Sequence, residues 1–270
     1  MKTLYVSDLD GTLLRSDETV SQFTADAINS LVEKGILFSY ATARSHLTAS
    51  RVTRGIDAKI PLIVYNGAFV IDNATGEILI GNFFDQSVEA LIDDLIAHDV
   101  YPIVYSLQDG KERFSYIVEK QTRGMITFNR SRAGDPRENQ KPLDRVQDLH
   151  LGQKFTITCI DEPEKLLPIY QKYREGYHCI YHRDIYSGEQ WLEILPKETS
   201  KSNAVRQLKA LLGCDRVVAF GDGRNDMDMF RLADESCAME NAVPELKAIA
   251  TRVIGSNNDD GVARWILENH

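Results

Sequence analysis

Thr3-Leu4-Tyr5-Val6-Ser7-Asp8-Leu9-Asp10-Gly11-Thr12 opens the chain. Thr3 to Ser7 is a short apolar run, and it stops abruptly at residues that favour turns, so the stretch reads as a strand emptying into a polar loop. Apolar residues then recur at helical spacing (Val20, Phe23, Ala27, Leu31) up to Gly35, which suits a helix stop, so a β-α unit is expected. Ile36 to Ala41 is a second strand, Leu47 to Thr53 a helix segment, and Pro61 to Tyr65 a third strand ending at Asn66-Gly67. After Leu195 the rhythm returns: a helix over Ser202 to Leu212, a strand Val217 to Phe220, a helix through Met227 to Leu232 and a strand Arg252 to Ile254. Strands alternating with helices predict an α/β fold, a Rossmann-like, doubly wound parallel sheet with right-handed crossovers.

The middle of the chain changes character. Tyr101 to Leu107 and Arg113 to Val118 flank Gln108-Asp109-Gly110-Lys111, and Asp-Gly is a hairpin signal, so antiparallel pairing is expected. Lys154 to Ile160, Cys179 to Tyr186 and Gln190 to Leu195 add strands, the last two joined through Ser187-Gly188-Glu189. Helices are expected near Ser87 to His98 and Glu164 to Arg174, with Lys120 to Arg145 a loop or short helix. An α+β domain of residues 84–189 is thus inserted into a core of residues 1–83 and 190–270.

The 270 residues carry a formal charge of -9 with 43% hydrophobic and 26% charged residues. Such a chain buries a sizeable core, and its acidity argues against broad attachment to nucleic acid, which needs a basic face. No apolar stretch reaches the roughly 20 residues of a membrane span, and the first residues show no basic n-region and cleavage site, so neither membrane insertion nor secretion is expected. Cys159, Cys179, Cys214 and Cys237 show no CxxC spacing, so a reducing cytoplasm is the expected compartment.

Asp8-Leu9-Asp10-Gly11-Thr12, Ala41-Thr42-Ala43-Arg44 and Gly221-Asp222-Gly223-Arg224-Asn225-Asp226 all follow the carboxyl ends of predicted parallel strands, the edge at which open α/β sheets bind ligands. Two acidic clusters at one edge repel each other unless a cation lies between them, and Mg²⁺ suits carboxylates combined with a substrate phosphate. Asp8 is then a candidate nucleophile, and Asp10 a candidate acid/base for the leaving oxygen and the hydrolytic water. Thr42 offers a hydroxyl, and the Ala43 N–H opens onto a predicted helix N-terminus, suited to an anion. Lys201 brings a positive charge to a phosphate oxygen. Arg44 is a further candidate for phosphate, or for pairing with a neighbouring acid.

The other readings of these segments are weaker. Neither acidic cluster has the Glu at the twelfth position of a calcium-binding EF-hand loop, and no dinucleotide or P-loop fingerprint is present. His178 and His182 lie four apart on a strand, about 13 Å at ~3.3 Å per residue, too far to share an ion. Arg123, Arg130, Arg132, Arg137, Lys141 and Arg145 read as a solvated basic loop. Tyr105, Arg183, Tyr186 and Trp191 are residues of the insert that could line a pocket or simply pack.

Taken in order, DLDGT, ATAR, a single Lys before a helix and GDGRND resemble the haloacid dehalogenase superfamily of phosphohydrolases. Asn66-Gly67-Ala68, Leu192-Glu193-Ile194 and Ala238-Met239-Glu240-Asn241-Ala242 are similar to its Cof-type branch (subfamily IIB), which carries a large C2-type cap between the second and third motifs. The resemblance implies Asp8 as nucleophile, Asp10 as acid/base, and Mg²⁺ held by Asp8, the Asp10 carbonyl and Asp222, with Asp226 acting through water. It also implies that the Leu9 N–H, Thr42, the Ala43 N–H, Lys201 and Asn225 grip the phosphate. Two positions depart from the pattern: Ala43 stands where Gly is common, and Lys201-Ser202-Asn203 replaces a Lys-Gly pair. The expectation is a Mg²⁺-dependent cytoplasmic phosphatase for small phosphorylated metabolites, sugar phosphates first, a monomer or weak homodimer with no nucleic-acid or membrane partner. The alternatives are a phosphomutase or phosphotransferase on sugar phosphates, or a low-turnover binding regulator.

Overall fold

The computed structural model describes residues 1–138, 145–183 and 188–270. Lys141, Tyr186 and Ser187, on which expectations fall, lie outside the described residues. In chain order the elements are β1 (Thr3–Ser7), α1 (Gln22–Glu33), β2 (Leu37–Tyr40), α2 (His46–Val52), β3 (Leu62–Val64), β4 (Phe69–Ile71) and β5 (Ile78–Gly81). There follow α3 (Ser87–Ala97), β6 (Ile103–Gln108), β7 (Lys111–Ser115), α4 (Arg123–Ser131), β8 (Gln153–Ile160), α5 (Pro163–Tyr173), β9 (His178–Arg183) and β10 (Gln190–Leu195). The chain closes with α6 (Lys201–Leu212), β11 (Arg216–Gly221), α7 (Met227–Leu232), β12 (Glu235–Met239), α8 (Pro244–Ile249), β13 (Arg252–Ile254) and α9 (Gly261–Asn269).

Two compact units result, Met1–Gly81 with Thr199–His270, and Asn82–Glu198. The first is built on a parallel sheet in the order β13-β12-β11-β1-β2. Its interior strand β1, between β11 and β2, is covered on both faces, which is why Leu4, Tyr5 and Val6 follow one another without alternation. From β1 the chain crosses to β2 on one side, and from β11 it crosses to β12 and β13 on the other. Right-handed crossovers leaving in opposite directions put their helices on opposite faces, so the boundary between β1 and β11 is a topological switch point. A parallel bridge from Ala41 to Ile63 continues the edge into the antiparallel set β3-β4-β5. The third strand expected in the parallel sheet therefore exists but opens an antiparallel set.

The second unit is a five-stranded antiparallel sheet, β7-β6-β8-β10-β9, with α3 and α5 against it. Val88, Leu91, Ile92 and Leu95 from α3 and Leu166 and Ile169 from α5 meet Ile157, Cys159, Leu192 and Ile194 of the sheet. Asp109 and Gly110, at φ 51 and 72, turn β6 into β7 as the Asp-Gly pair predicts. The expected boundary at residue 190 moves. β10 pairs with β8 and β9, and its Leu192 and Ile194 side chains fill this unit's core, so the chain re-enters the first unit only at Thr199. On the other side the first unit ends at Gly81 rather than 83. All four cysteines are free, and among the described residues no helix is long and apolar enough to cross a membrane.

Candidate active site

Strand register assembles the site. Ser7 lies opposite Phe220 of β11 and Tyr40 of β2, so the next residue, Asp8, emerges beside Gly221 and Ala41. The ladder runs one step further through Asp8 N–H to Phe220 O at 3.0 Å and Ala41 N–H to Ser7 O at 2.9 Å. Asp8, Thr42 and Asp222 thus reach one sheet edge at the switch point. Beyond Asp8 the chain makes a single wide turn, in which Leu14 N–H donates to Leu9 O at 2.8 Å. Gly11 sits in it at φ +75, and a Cβ there would fall 2.4 Å from Asp222 Oδ2, so the turn and the acidic cluster both require glycine.

Lys201 opens α6, whose N-cap Ser200 accepts from Asn203 N–H at 3.0 Å. Gly67, at φ +97, lets the loop after β3 lie against this start, since a Cβ there would meet Ser200 O at 2.2 Å. The Lys201 side chain is 2% exposed and donates from Nζ to Asp8 Oδ1 at 2.6 Å and Asp226 Oδ1 at 2.8 Å. Asp226 is fully buried, and its Oδ2 accepts the N–H groups of Asp222 and Gly223, each at 3.1 Å. Thr12 Oγ1 donates to Asp222 Oδ1 at 3.0 Å.

Oxygens of Asp8, Asp222 and Asp226 lie within 4.8 Å of one another, and among the described residues Lys201 is the one cation bonded within the group. Burial, and after it the opposing pulls of Lys201 and the other two aspartates, leaves the Asp8 carboxyl well above its ordinary range. Asp222 is pushed up to about 6, first by burial and then by Asp226. Burial opposes the charge of Lys201, but Asp226 and Asp8 outweigh it and raise its pKa. Three crowded carboxylates against one ammonium form a donor set of hard oxygens that fits Mg²⁺. Asp8, Asp222 and Asp226 are the side chains that would hold it. Asp10 is not among them: its carboxylate is 49% exposed and engaged by Arg44, and only its backbone remains a candidate ligand.

The other expected residues are placed as follows. Leu9 and Thr42 are buried, Ala43 and Asn225 exposed. Helix α2 starts at His46, capped by Ser45, so Ala43 precedes the helical turn instead of opening it. Arg44 N–H donates to Thr42 Oγ1 at 3.1 Å, while its guanidinium forks onto Asp10, with Nε 2.9 Å from Oδ2 and Nη2 2.6 Å from Oδ1. Nη2 also reaches Glu18 Oε2 at 2.7 Å. In the second unit Arg132 lies over the Phe128 ring, Arg137 pairs with Asp135, and Arg145 with Asp148. Trp191 packs edge-on to Phe128, and Tyr105 lies against Phe114 and Phe155.

Sequence reasoning gave no role to Thr12, Glu18 or Asn241. Asn241 Nδ2 donates to Gly11 O at 2.7 Å and its Oδ1 accepts from Asn257 N–H at 3.1 Å, tying the turn after β1 to the loop after β12. Thr12 and Asn241 lay in motifs already quoted, whereas nothing in the sequence around Glu18 pointed to Arg44.

A profile of the haloacid dehalogenase-like hydrolases matches residues 5–266. The chain is 30% identical to the 5-amino-6-(5-phospho-D-ribitylamino)uracil phosphatase YitU of Bacillus subtilis, over 98% of this chain and 96% of that protein. Among solved structures, one from Eubacterium rectale superimposes with a TM-score of 0.80 at 21% identity, covering 99% of this chain and 98% of its own. One from Thermotoga maritima gives 0.78 at 24% identity, covering 100% and 98%. The two structures carry the same fold.

Proposed function

The chain belongs to the haloacid dehalogenase-like hydrolases, in their Cof-type branch, and from that premise we propose that it is a Mg²⁺-dependent phosphatase of small phosphorylated metabolites, acting through an aspartyl-phosphate on Asp8. The observation that carries this reading is the buried Asp8–Lys201–Asp226 chain with Asp222 beside it at the switch point. A fold-only role has no use for three carboxylates crowded around one ammonium, with burial and their neighbours raising the proton affinity of Asp8 and Asp222.

In the proposed reaction a carboxylate oxygen of Asp8 attacks phosphorus, and the ester P–O bond breaks as Asp10 gives its proton to the leaving oxygen. Asp10 then takes a proton from water, whose oxygen attacks the phosphoryl group, releasing inorganic phosphate and the Asp8 carboxylate. Lys201 favours the ionised form of Asp8 against the burial that opposes it, and holds it in place through its bond to Oδ1. Bound Mg²⁺ supplies the charge that lets the three aspartates and the phosphoryl oxygens share one site. Thr42, the N–H groups of Leu9 and Ala43, Lys201 and Asn225 are proposed to bind the phosphate, with Arg44 beside them.

Sugar phosphates are the proposed substrate class, and YitU, whose named substrate carries its phosphate on a ribityl chain, is a relative in keeping with it. A reducing cytoplasm is the proposed setting, since four cysteines show no disulfide spacing. The test is phosphate release from sugar phosphates, nucleotides and vitamin phosphates, with Mg²⁺ and again with a chelator. Chelator-sensitive release is expected, with sugar phosphates fastest. Release from none of them by folded, Mg²⁺-loaded protein would overturn the proposal.

A further inference from the structure

Asp10 enters the proposed chemistry as a half-exposed side chain, and an exposed aspartate rotates freely unless something holds it. Arg44 does so through three contacts: Nε at 2.9 and 3.2 Å from the two oxygens, and Nη2 at 2.6 Å from Oδ1. Arg44 is itself fixed at both ends. Its backbone is pinned by N–H to Thr42 Oγ1 at 3.1 Å and by Tyr65 N–H to its carbonyl at 3.0 Å. Its guanidinium is shared with Glu18, which accepts from the same Nη2 that serves Asp10.

Glu18 is built into a rigid turn. Arg15 N–H donates to Thr19 O and Glu18 N–H to Arg15 O, both at 2.9 Å, and Asp17 Oδ1 accepts from Thr19 Oγ1 at 2.6 Å. Arg15 in turn is paired with the buried Asp260 at 2.8 Å, and Ser16 N–H with Asn258 Oδ1 at 3.0 Å. Within this turn Glu18 adopts φ +60, a conformation that disfavours glutamate. Ion pairs as exposed as Arg44–Glu18, with side chains 22% and 52% exposed, contribute little to folding, so stability does not account for the arrangement.

We propose that Glu18 is a positioning residue for proton transfer: by holding one side of Arg44 it sets where the forked guanidinium places the Asp10 carboxyl. This rests on the acid/base reading of Asp10 given above. Removing the Glu18 charge frees one side of Arg44, and a guanidinium held on one side only no longer fixes the Asp10 carboxyl where it can give a proton to the leaving oxygen.

The experiment compares two leaving groups in the Mg²⁺-loaded protein. One is the sugar phosphate that turns over fastest in the panel, whose alkoxide must be protonated. The other is p-nitrophenyl phosphate, whose phenolate leaves without help. Glu18→Gln is expected to lower kcat/KM about tenfold for the sugar phosphate and less than about twofold for p-nitrophenyl phosphate, with an unchanged melting temperature. Arg44→Lys, which keeps the charge and loses the fork, is expected to lower kcat/KM for both substrates, and more for the sugar phosphate. An equal change with both substrates, or none with either, would overturn the proposal. Asp10→Asn separates the two layers. If it shows no contrast, the acid role fails and Glu18's with it; if it shows the contrast and Glu18→Gln does not, only Glu18's role falls.

Discussion

Asp222 shows at the level of one residue how the site is poised. Its carboxyl, held at about 6 by burial and by Asp226, lies above the ordinary 3.8. A folded-state pKa above the unfolded one means that the folded protein binds more protons between roughly pH 4 and 6. The contribution of Asp222 to the stability of the cation-free protein therefore falls as pH rises through that window. Asp222→Asn removes the charge and keeps an oxygen for Thr12. In chelator, the variant should match the wild type near pH 4 and exceed it by about 1–2 kcal/mol at pH 7, and Mg²⁺ should erase or reverse the gap. Denaturant unfolding at the two pH values measures this, and a gap that does not change with pH would mean that Asp222 is not crowded.

At the scale of elements, the turn after β1 does more than connect. It carries Asp10 outward, sends Thr12 to Asp222, and closes on Asn241 through Gly11 O. Gly11→Ala should be destabilised by about 1–2 kcal/mol from its positive φ alone, and the added methyl, 2.4 Å from Asp222 Oδ2, must displace that carboxylate. The expected result is a Mg²⁺ requirement at least tenfold higher, read by titrating activity with the cation; an unchanged requirement would mean the turn yields without moving Asp222. The motif strands β1 and β11 were legible because they are continuous apolar runs ending in Asp and Gly. Strand β12 was not, because Glu235-Ser236-Cys237-Ala238-Met239 has no strand pattern. All five are nonetheless buried, Glu235 being neutralised by Arg216 and Arg252.

Across the whole molecule, what could be read was what sits next to chemistry. The alternation of strands and helices yielded the parallel sheet, the polar clusters at its strand ends yielded the aspartates, and the Asp109-Gly110 turn yielded the antiparallel insert. The exit from the insert could not be placed, because Gln190–Leu195 reads as a strand in either unit and only pairing with β8 and β9 decides where it belongs. The bonding of Asp10 was equally hidden: Arg44 is 34 positions away from it, and Glu18 is brought to the pair by a turn anchored on Asp260 and Asn258.

All of these scales converge on Asp8, and trapping its phosphorylated form tests it most directly. The Mg²⁺-loaded protein, mixed with a turned-over phosphate ester, is quenched in acid and reduced with borohydride, which converts an aspartyl-phosphate to homoserine. Peptide mass spectrometry should find homoserine at position 8, and none in Asp8→Asn, whose turnover should fall by at least about 10³-fold. Homoserine at another position, or full turnover in Asp8→Asn, would contradict the assignment of Asp8 as the nucleophile.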